Sequence, residues 1–346
     1  MATRRKTKMT FSTLTSRYSL LIGLGALILF FTAMRPDIFP TLANAGSIMS
    51  DNAVLTLVAL GIMVPLIVGQ FDLSPGFVAS LAVMMTAGFL SEYQMHPLLV
   101  LVIILTVGAA IGATMGVLVG YLQLNSLIVS LGVGSVVAGL VLLYSGGQII
   151  FKGIPKDFVA IGQTRLFDFV PMPFIYAIVI CTIMWFVLTQ RPAGRRLYAV
   201  GANPEAATLI GINVPRSILI AFVISSMMAS LAGFIQVSRL GAGHPTSAQA
   251  FLLPAFAAAF LGATSFRPGF YNVWGTFVAV YLVGTGTTGL FMLGAESYVQ
   301  PMFNGVVLVI AVVAARLGVI RRNRAEVAAA RRRIPEPSGP SELQST

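Results

Sequence analysis

Charge is scarce in this chain, and side chains that do chemistry are scarcer. Only 10% of its 346 residues are Asp, Glu, Lys or Arg, against about 25% in an ordinary soluble domain. That excludes a soluble enzyme and a disordered protein. The one cysteine, Cys181, excludes an intrachain disulfide framework, and its apolar setting makes it a small packing residue. The two histidines, His96 and His244, are far apart and make no metal-ligand pattern. No G-x-x-x-x-G-K-[ST] loop is present to cradle the phosphates of ATP. What the chain does have is 57% hydrophobic residues and a mean hydropathy of +0.89. Both indicate an all-α, polytopic membrane protein with most of its length in the bilayer.

A helix needs about 20 residues to cross the hydrocarbon core. The sequence predicts about ten spans, near 18–34, 47–69, 73–90, 97–122, 126–144, 171–189, 217–237, 250–263, 271–293 and 300–317. The eighth is short and contains Pro254, so it is expected to be broken or re-entrant. The membrane domain is thus 18–317. It is preceded by a basic segment, 1–17, and followed by a basic, Pro/Ser-rich tail, 318–346, expected to be disordered. With ten spans the 22 Lys and Arg residues divide unevenly. One face keeps only Arg35, Lys152, Lys156, Arg165 and Arg239, and the other face holds the rest. The positive-inside rule then puts both termini in the cytoplasm. The first span has a basic start and an Ala43-Asn44-Ala45 site downstream, as a signal peptide would. The long gap between them, with Arg35, Pro36 and Asp37, favours an uncleaved anchor.

Within the spans, Gly108, Gly112, Gly116 and Gly120 recur every fourth residue. They strip one helix face of side chains and predict close packing against another helix. In the ninth span Gly284, Gly286 and Gly289 alternate with Thr285, Thr287 and Thr288. This segment is expected to pack or kink before it is expected to line a polar path. Carboxylates are nearly absent from span centres, since Asp72, Glu92 and Glu296 sit at ends. Ion-driven transporters keep such groups near the midplane. Energy for transport is therefore expected from elsewhere, and the solute is expected to be neutral.

Three loops carry information. In the turn 69–76, Asp72 or Ser74 can cap the next helix and Pro75 suits its first position; a gating turn formed by Asp72, Leu73, Ser74 and Gly76 is the functional reading. The spacing of Gly69, Pro75, Gly76 and Phe77 recurs in Gly262, Pro268, Gly269 and Phe270, a weak trace of an internal repeat with both turns on the cytoplasmic side. The large loop 190–216 contains Asn203 as N-cap, Pro204 as first helical residue, Glu205 at the positive end and Gly211 as the stop. This predicts a two-turn helix outside the membrane. Its Ala206, Ala207, Leu209 and Ile210 face water unless a partner covers them, and so short a helix is unstable alone.

At this loop the sequence resembles the ribose/xylose/arabinose-type permeases of ABC transporters. Their pattern G-R-x-x-Y-A-x-G-x-N-x-x-A-A-x-x-x-G-I-x-V is met at Gly194, Arg195, Tyr198, Ala199, Gly201, Asn203, Ala206, Ala207, Gly211, Ile212 and Val214. Asp72-Leu73-Ser74 with Gly76 is similar to the family's G-x-D-L-S-x-G turn. Gly262-Ala263-Thr264-Ser265, followed by Trp274-Gly275-Thr276, is near its G-G-T-S…G-T element. The resemblance covers roughly 45–317. The chain departs from the family at Ser247–Pro254, which lacks the frequent acidic residue, and at Phe266–Phe270, which replaces Gly-Gly-x-Gly.

The resemblance implies a division of labour. This chain forms the pathway, beside a second permease subunit, identical or not. A cytoplasmic ATP-binding subunit, holding ATP and Mg, docks on Asn203–Gly211, with Gly194, Arg195, Tyr198 and Gly201 supporting the loop. A periplasmic substrate-binding protein delivers a monosaccharide or polyol, and the chain itself is a transport subunit with no catalytic residue, cofactor or metal of its own. A passive channel or facilitator for a small neutral solute is the alternative, and it leaves the apolar helix unexplained. A membrane enzyme lacks the polar cluster it needs. Phe71, Tyr144, Gln148 and Gln236 are the residues read as able to meet a sugar, against ordinary packing as the simpler role.

Overall fold

The computed structural model describes residues 18–331. The basic segment 1–17 and the tail 332–346 lie outside the described residues. Helices follow one another in chain order: α1 Ser19–Met34, α2 Leu42–Ile67, α3 Pro75–Ser91, α4 Pro97–Gly120, α5 Ser126–Ser145, α6 Lys156–Gln163, α7 Met172–Gln190, α8 Pro192–Ala202, α9 Pro204–Leu209, α10 Val214–Leu240, α11 Leu252–Gly262, α12 Val273–Met292 and α13 Val299–Arg331. A two-stranded hairpin, β1 Arg165–Leu166 and β2 Val170–Pro171, stands between α6 and α7. Among the described residues seven helices are long and apolar enough to cross a membrane: α2, α4, α5, α7, α10, α12 and the Val299–Leu317 part of α13. Three further apolar helices, α1, α3 and α11 with its preceding turn, are shorter. Each segment predicted as a span thus forms an apolar helix, in an all-α polytopic membrane protein. The last helix runs on to Arg331, so the first part of the expected tail is helical rather than irregular.

Two helices form the centre. α2 is buried almost continuously from Asn52 to Ile67, and α10 packs against α2, α3 and α4. The glycine ladder of α4 lies on α10. A Cβ at Gly112 would come 2.5 Å from the Phe222 carbonyl oxygen, one at Gly116 2.6 Å from the Leu219 Cα, and one at Gly120 2.7 Å from the Pro215 carbonyl oxygen. Only glycine permits this approach, and the rising numbers on α4 meet falling numbers on α10, so the two helices are antiparallel. α1 packs on α12, with Phe31 filling the space over Gly289.

Two chain breaks shape the interior. After α2 the chain turns through 68–74, and α3 begins inside the bundle with Asp72, Ser74, Pro75 and Gly76 all buried. After α10 the chain passes Gly241–Ala248 without regular helix, makes one 3₁₀ turn at Gln249–Phe251, and begins α11. These starts meet: a Cβ at Gly76 would lie 3.3 Å from the Gln249 Cα and 3.4 Å from the Ala248 carbonyl oxygen. From there α3 runs along α10, with Gly233 against Ala82, and then along the segment after it, with Gly243 against Ala87. α11 runs the opposite way, toward Phe71, whose ring lies 6.4 Å from Phe260.

The two turns read as a weak trace of an internal repeat differ in burial. The Asp72 turn lies inside the bundle, whereas Arg267, Pro268 and Phe270 are exposed. The segment that meets the Asp72 turn is 241–251, through Ala248 and Gln249 against Gly76. Gly and Pro recur wherever a chain reverses, so their spacing alone does not establish equivalent turns.

Candidate functional site

The loop 190–216 holds two helices, not one. α8, an 11-residue helix containing Gly194 and Gly201, precedes the one that the capping signals predict. Both glycines are there for contact. A Cβ at Gly194 would strike the Leu188 backbone, and one at Gly201 the Ile67 carbonyl oxygen. Gly194 lets α8 fold tightly back on the end of α7, and Gly201 seats α8 on the end of α2, five residues before Asp72. The Tyr198 hydroxyl donates to the Tyr271 carbonyl oxygen at 2.7 Å. Burial pushes the Tyr198 phenol up to about 12, and the nearby Arg267 guanidinium works against that rise. The Arg195 guanidinium donates to the Gln190 carbonyl at 3.5 Å.

α9 follows the predicted signals closely. The Asn203 Oδ1 accepts from the Ala206 N–H at 2.9 Å, Pro204 opens the helix and Glu205 lies in its first turn. Gly211, at φ +80°, ends it in the left-handed conformation that favours glycine. Its predicted apolar face divides in two. Ala207 is 2% exposed and points into the bundle, whereas Leu209 and Ile210 are 88% and 74% exposed. Covering one such large apolar side chain is worth about 1.5–3 kcal/mol.

The Asp72 turn is the second feature. The Asp72 Oδ1 accepts from the Ser74 N–H at 2.9 Å and from the Ser74 hydroxyl at 2.7 Å. Asp72 thus braces Ser74, the N-cap residue, and neither side chain caps the first turn of α3, while Pro75 takes the first helical position as expected. Asp72 is fully buried. The Ser225 hydroxyl is the polar group beside its carboxylate, in addition to Ser74. Leu73 packs on the main core.

The two features are joined. A cleft of about 690 Å³ is lined by Val68, Phe71, Asn125, Glu205, Thr208 and Ile218 among others, so the chain leading to Asp72 faces α9 across one space. The Phe71 N–H donates to the Ser126 hydroxyl at 3.1 Å. The other residues read as able to meet a sugar lie elsewhere. The Tyr144 ring stands over Gly88 and 6.5 Å from Phe89, and Gln148 is exposed just beyond α5. Gln236 is buried on α10, where its Oε1 accepts from the Arg239 Nε at 3.4 Å. Sequence reasoning missed Asn272. Its Oδ1 accepts from the Gly275 N–H at 2.7 Å, and its Nδ2 donates to the carbonyls of Gly262, Ser265 and Phe270. Asn immediately before an apolar run is an N-cap signal that could have found it.

Comparison with known proteins places this architecture. Residues 44–312 match the family described as branched-chain amino acid transport system / permease component. The D-allose transport system permease protein of Escherichia coli K12 is 30% identical over 87% of this chain and 92% of its own length. The ribose import permease protein of Bacillus subtilis 168 is 31% identical over 84% of this chain and 90% of its own. The galactose/methyl galactoside import permease protein of Salmonella typhimurium LT2 is 27% identical over 85% and 91%. No solved structure matches. The chain belongs to this permease family, in its group of monosaccharide ABC permeases.

Proposed function

We propose that this protein is the membrane-spanning subunit of an ABC importer in a bacterial inner membrane, moving a monosaccharide or related polyol by alternating access. The observation that carries this reading is α9, a capped helix that presents Leu209 and Ile210 outward while resting on the bundle through Ala207. An ATPase subunit that binds ATP and Mg docks there, on Asn203–Gly211. Gly194, Arg195, Tyr198 and Gly201 hold the docking segment on the bundle. Motion of α8 and α9 reaches the Asp72 turn because Gly201 sits on the Ile67 carbonyl. Asp72, Leu73, Ser74 and Gly76 then act as the gate where α3 and α11 begin. This is a rigid-element transmission of a kind ABC-driven access needs.

In the proposed topology all ten apolar helices count as crossings. Both termini and α8–α9 face the cytoplasm, and the hairpin and α6 face the periplasm. A second permease subunit, identical or homologous, completes the pathway, and a periplasmic sugar-binding protein feeds it. The sugar assignment is supported by relatives whose names specify allose, ribose and galactose.

The test is detergent co-purification with the ATPase encoded beside it, comparing wild type with Ala206→Arg. Capture by wild type and not by the variant is the expected result. A wild type that captures no ATPase, yet moves sugar into liposomes without ATP, would overturn the proposal.

A further inference from the structure

The corner where α7 turns into α8 is flanked by a second cleft of about 490 Å³. Its upper wall is apolar: Met184 and Val187 on α7, and Ile220 and Ile224 on α10. Both helices are among those long and apolar enough to span a membrane, and Ile183, Phe186 and Ile220 are exposed on them. At about 1.5 Å per residue, Ile224 lies roughly 15 Å above the start of α10. The groove therefore extends well into the depth of one leaflet.

Its mouth is the opposite in character. Arg196 from α8 and Arg216 from the first turn of α10 both line it, and no carboxylate does. The other arginines of this corner are engaged, Arg195 on the Gln190 carbonyl and Arg191 over the Phe186 ring at 4.9 Å. Among the described residues the guanidiniums of Arg196 and Arg216 have no hydrogen bond, and the one ion pair is Arg239 with Asp51. Arg216 also stands at a helix N-terminus, where an anion is favoured.

We propose that this cleft binds an anionic phospholipid, its phosphate between Arg196 and Arg216 and an acyl chain along Met184, Val187, Ile220 and Ile224. A basic mouth over an apolar groove between spanning helices fits that chemistry. A lipid there bridges α7–α8 to the start of α10. Because Ile210 and Gly211 also line the cleft, it steadies the chain that leaves α9. The proposal needs α7 and α10 to face lipid, and does not depend on which solute is carried.

The experiment is thermal unfolding of the purified full chain in detergent with added phosphatidylglycerol or phosphatidylcholine of identical acyl chains, with native mass spectrometry of retained lipid. Phosphatidylglycerol should raise Tm and remain bound, and phosphatidylcholine should do neither. Arg196→Gln with Arg216→Gln should weaken retention roughly 30-fold, at about fivefold per arginine. Ile220→Trp, which fills the groove and keeps both arginines, should also lose the lipid. Equal stabilisation by inorganic phosphate would overturn the proposal, since the acyl chain would then contribute nothing. Undiminished lipid retention in the double variant, with loss of ATPase capture instead, would assign the arginines to the ATPase contact and also overturn it.

Discussion

The Tyr198 hydroxyl donates to the carbonyl oxygen of Tyr271, 73 residues away, at 2.7 Å. Through that bond α8, which leads into α9, is tied to the chain entering α12. The Tyr198 ring also stands edge-on to Phe270 at 6.3 Å.

Tyr198→Phe keeps the ring contact and leaves the Tyr271 carbonyl without its partner. The expected loss is about 1–2 kcal/mol, read as a lowered Tm in detergent. The pH dependence has a defined sign. A phenol raised in the folded state to about 12 holds its proton where the unfolded chain has lost it. Its contribution is therefore complete below pH 10 and is lost as pH rises from 10 through 12. Tyr198→Phe should lose less Tm across that window than wild type, the remainder coming from tyrosines it keeps, such as the partly buried Tyr271.

The α4–α10 seam and the α5 surface should answer the same change in opposite ways. A Cβ at Gly112 would sit 2.5 Å from the Phe222 carbonyl oxygen, whereas Gly132 and Gly139 on α5 have nothing within 4 Å. Gly112→Val should cost at least about 1–3 kcal/mol through forced separation of the helices. Gly139→Ala should be neutral or gain up to about 1 kcal/mol from helix propensity. Denaturation of both variants in one detergent checks the contrast; equal effects would refute the packing assignment.

α9 offers a cleaner separation of docking from folding. Leu209→Asp should leave Tm unchanged and reduce ATPase capture by roughly tenfold or more, because one large apolar contact is removed. Ala207→Asp buries a charge against the bundle and should lower Tm instead. Paired melting and capture measurements distinguish them.

Asp72 acts first as an acceptor. Asp72→Asn retains an oxygen for the Ser74 N–H and hydroxyl, so folding should be preserved. Asp72→Ala leaves both donors buried and unpaired, at about 1–3 kcal/mol each. If Asn and Ala variants melt alike, the turn does not depend on that acceptor. ATP-driven uptake by the Asn variant then reports whether the carboxylate itself serves the gate.

By itself the sequence determined whatever depends on local composition and spacing. Runs of apolar residues near 20 long became helices, since a buried or lipid-facing backbone must bond to itself. Asn203, Pro204 and Gly211 delimited α9, because capping uses atoms a few residues apart. Gly108–Gly120 announced a close helix contact without naming the partner. Tertiary structure decided the rest. It chose α10 as that partner, put Asp72 inside the bundle, and divided Ala207 from Leu209. It also made a helix of the glycine-containing stretch 192–202, by giving Gly194 and Gly201 backbone to rest on. The cleft between Arg196 and Arg216 likewise exists only because α8 folds back beside α10. Contacts between residues far apart in the chain depend on which faces meet, and helical periodicity states only that a face exists.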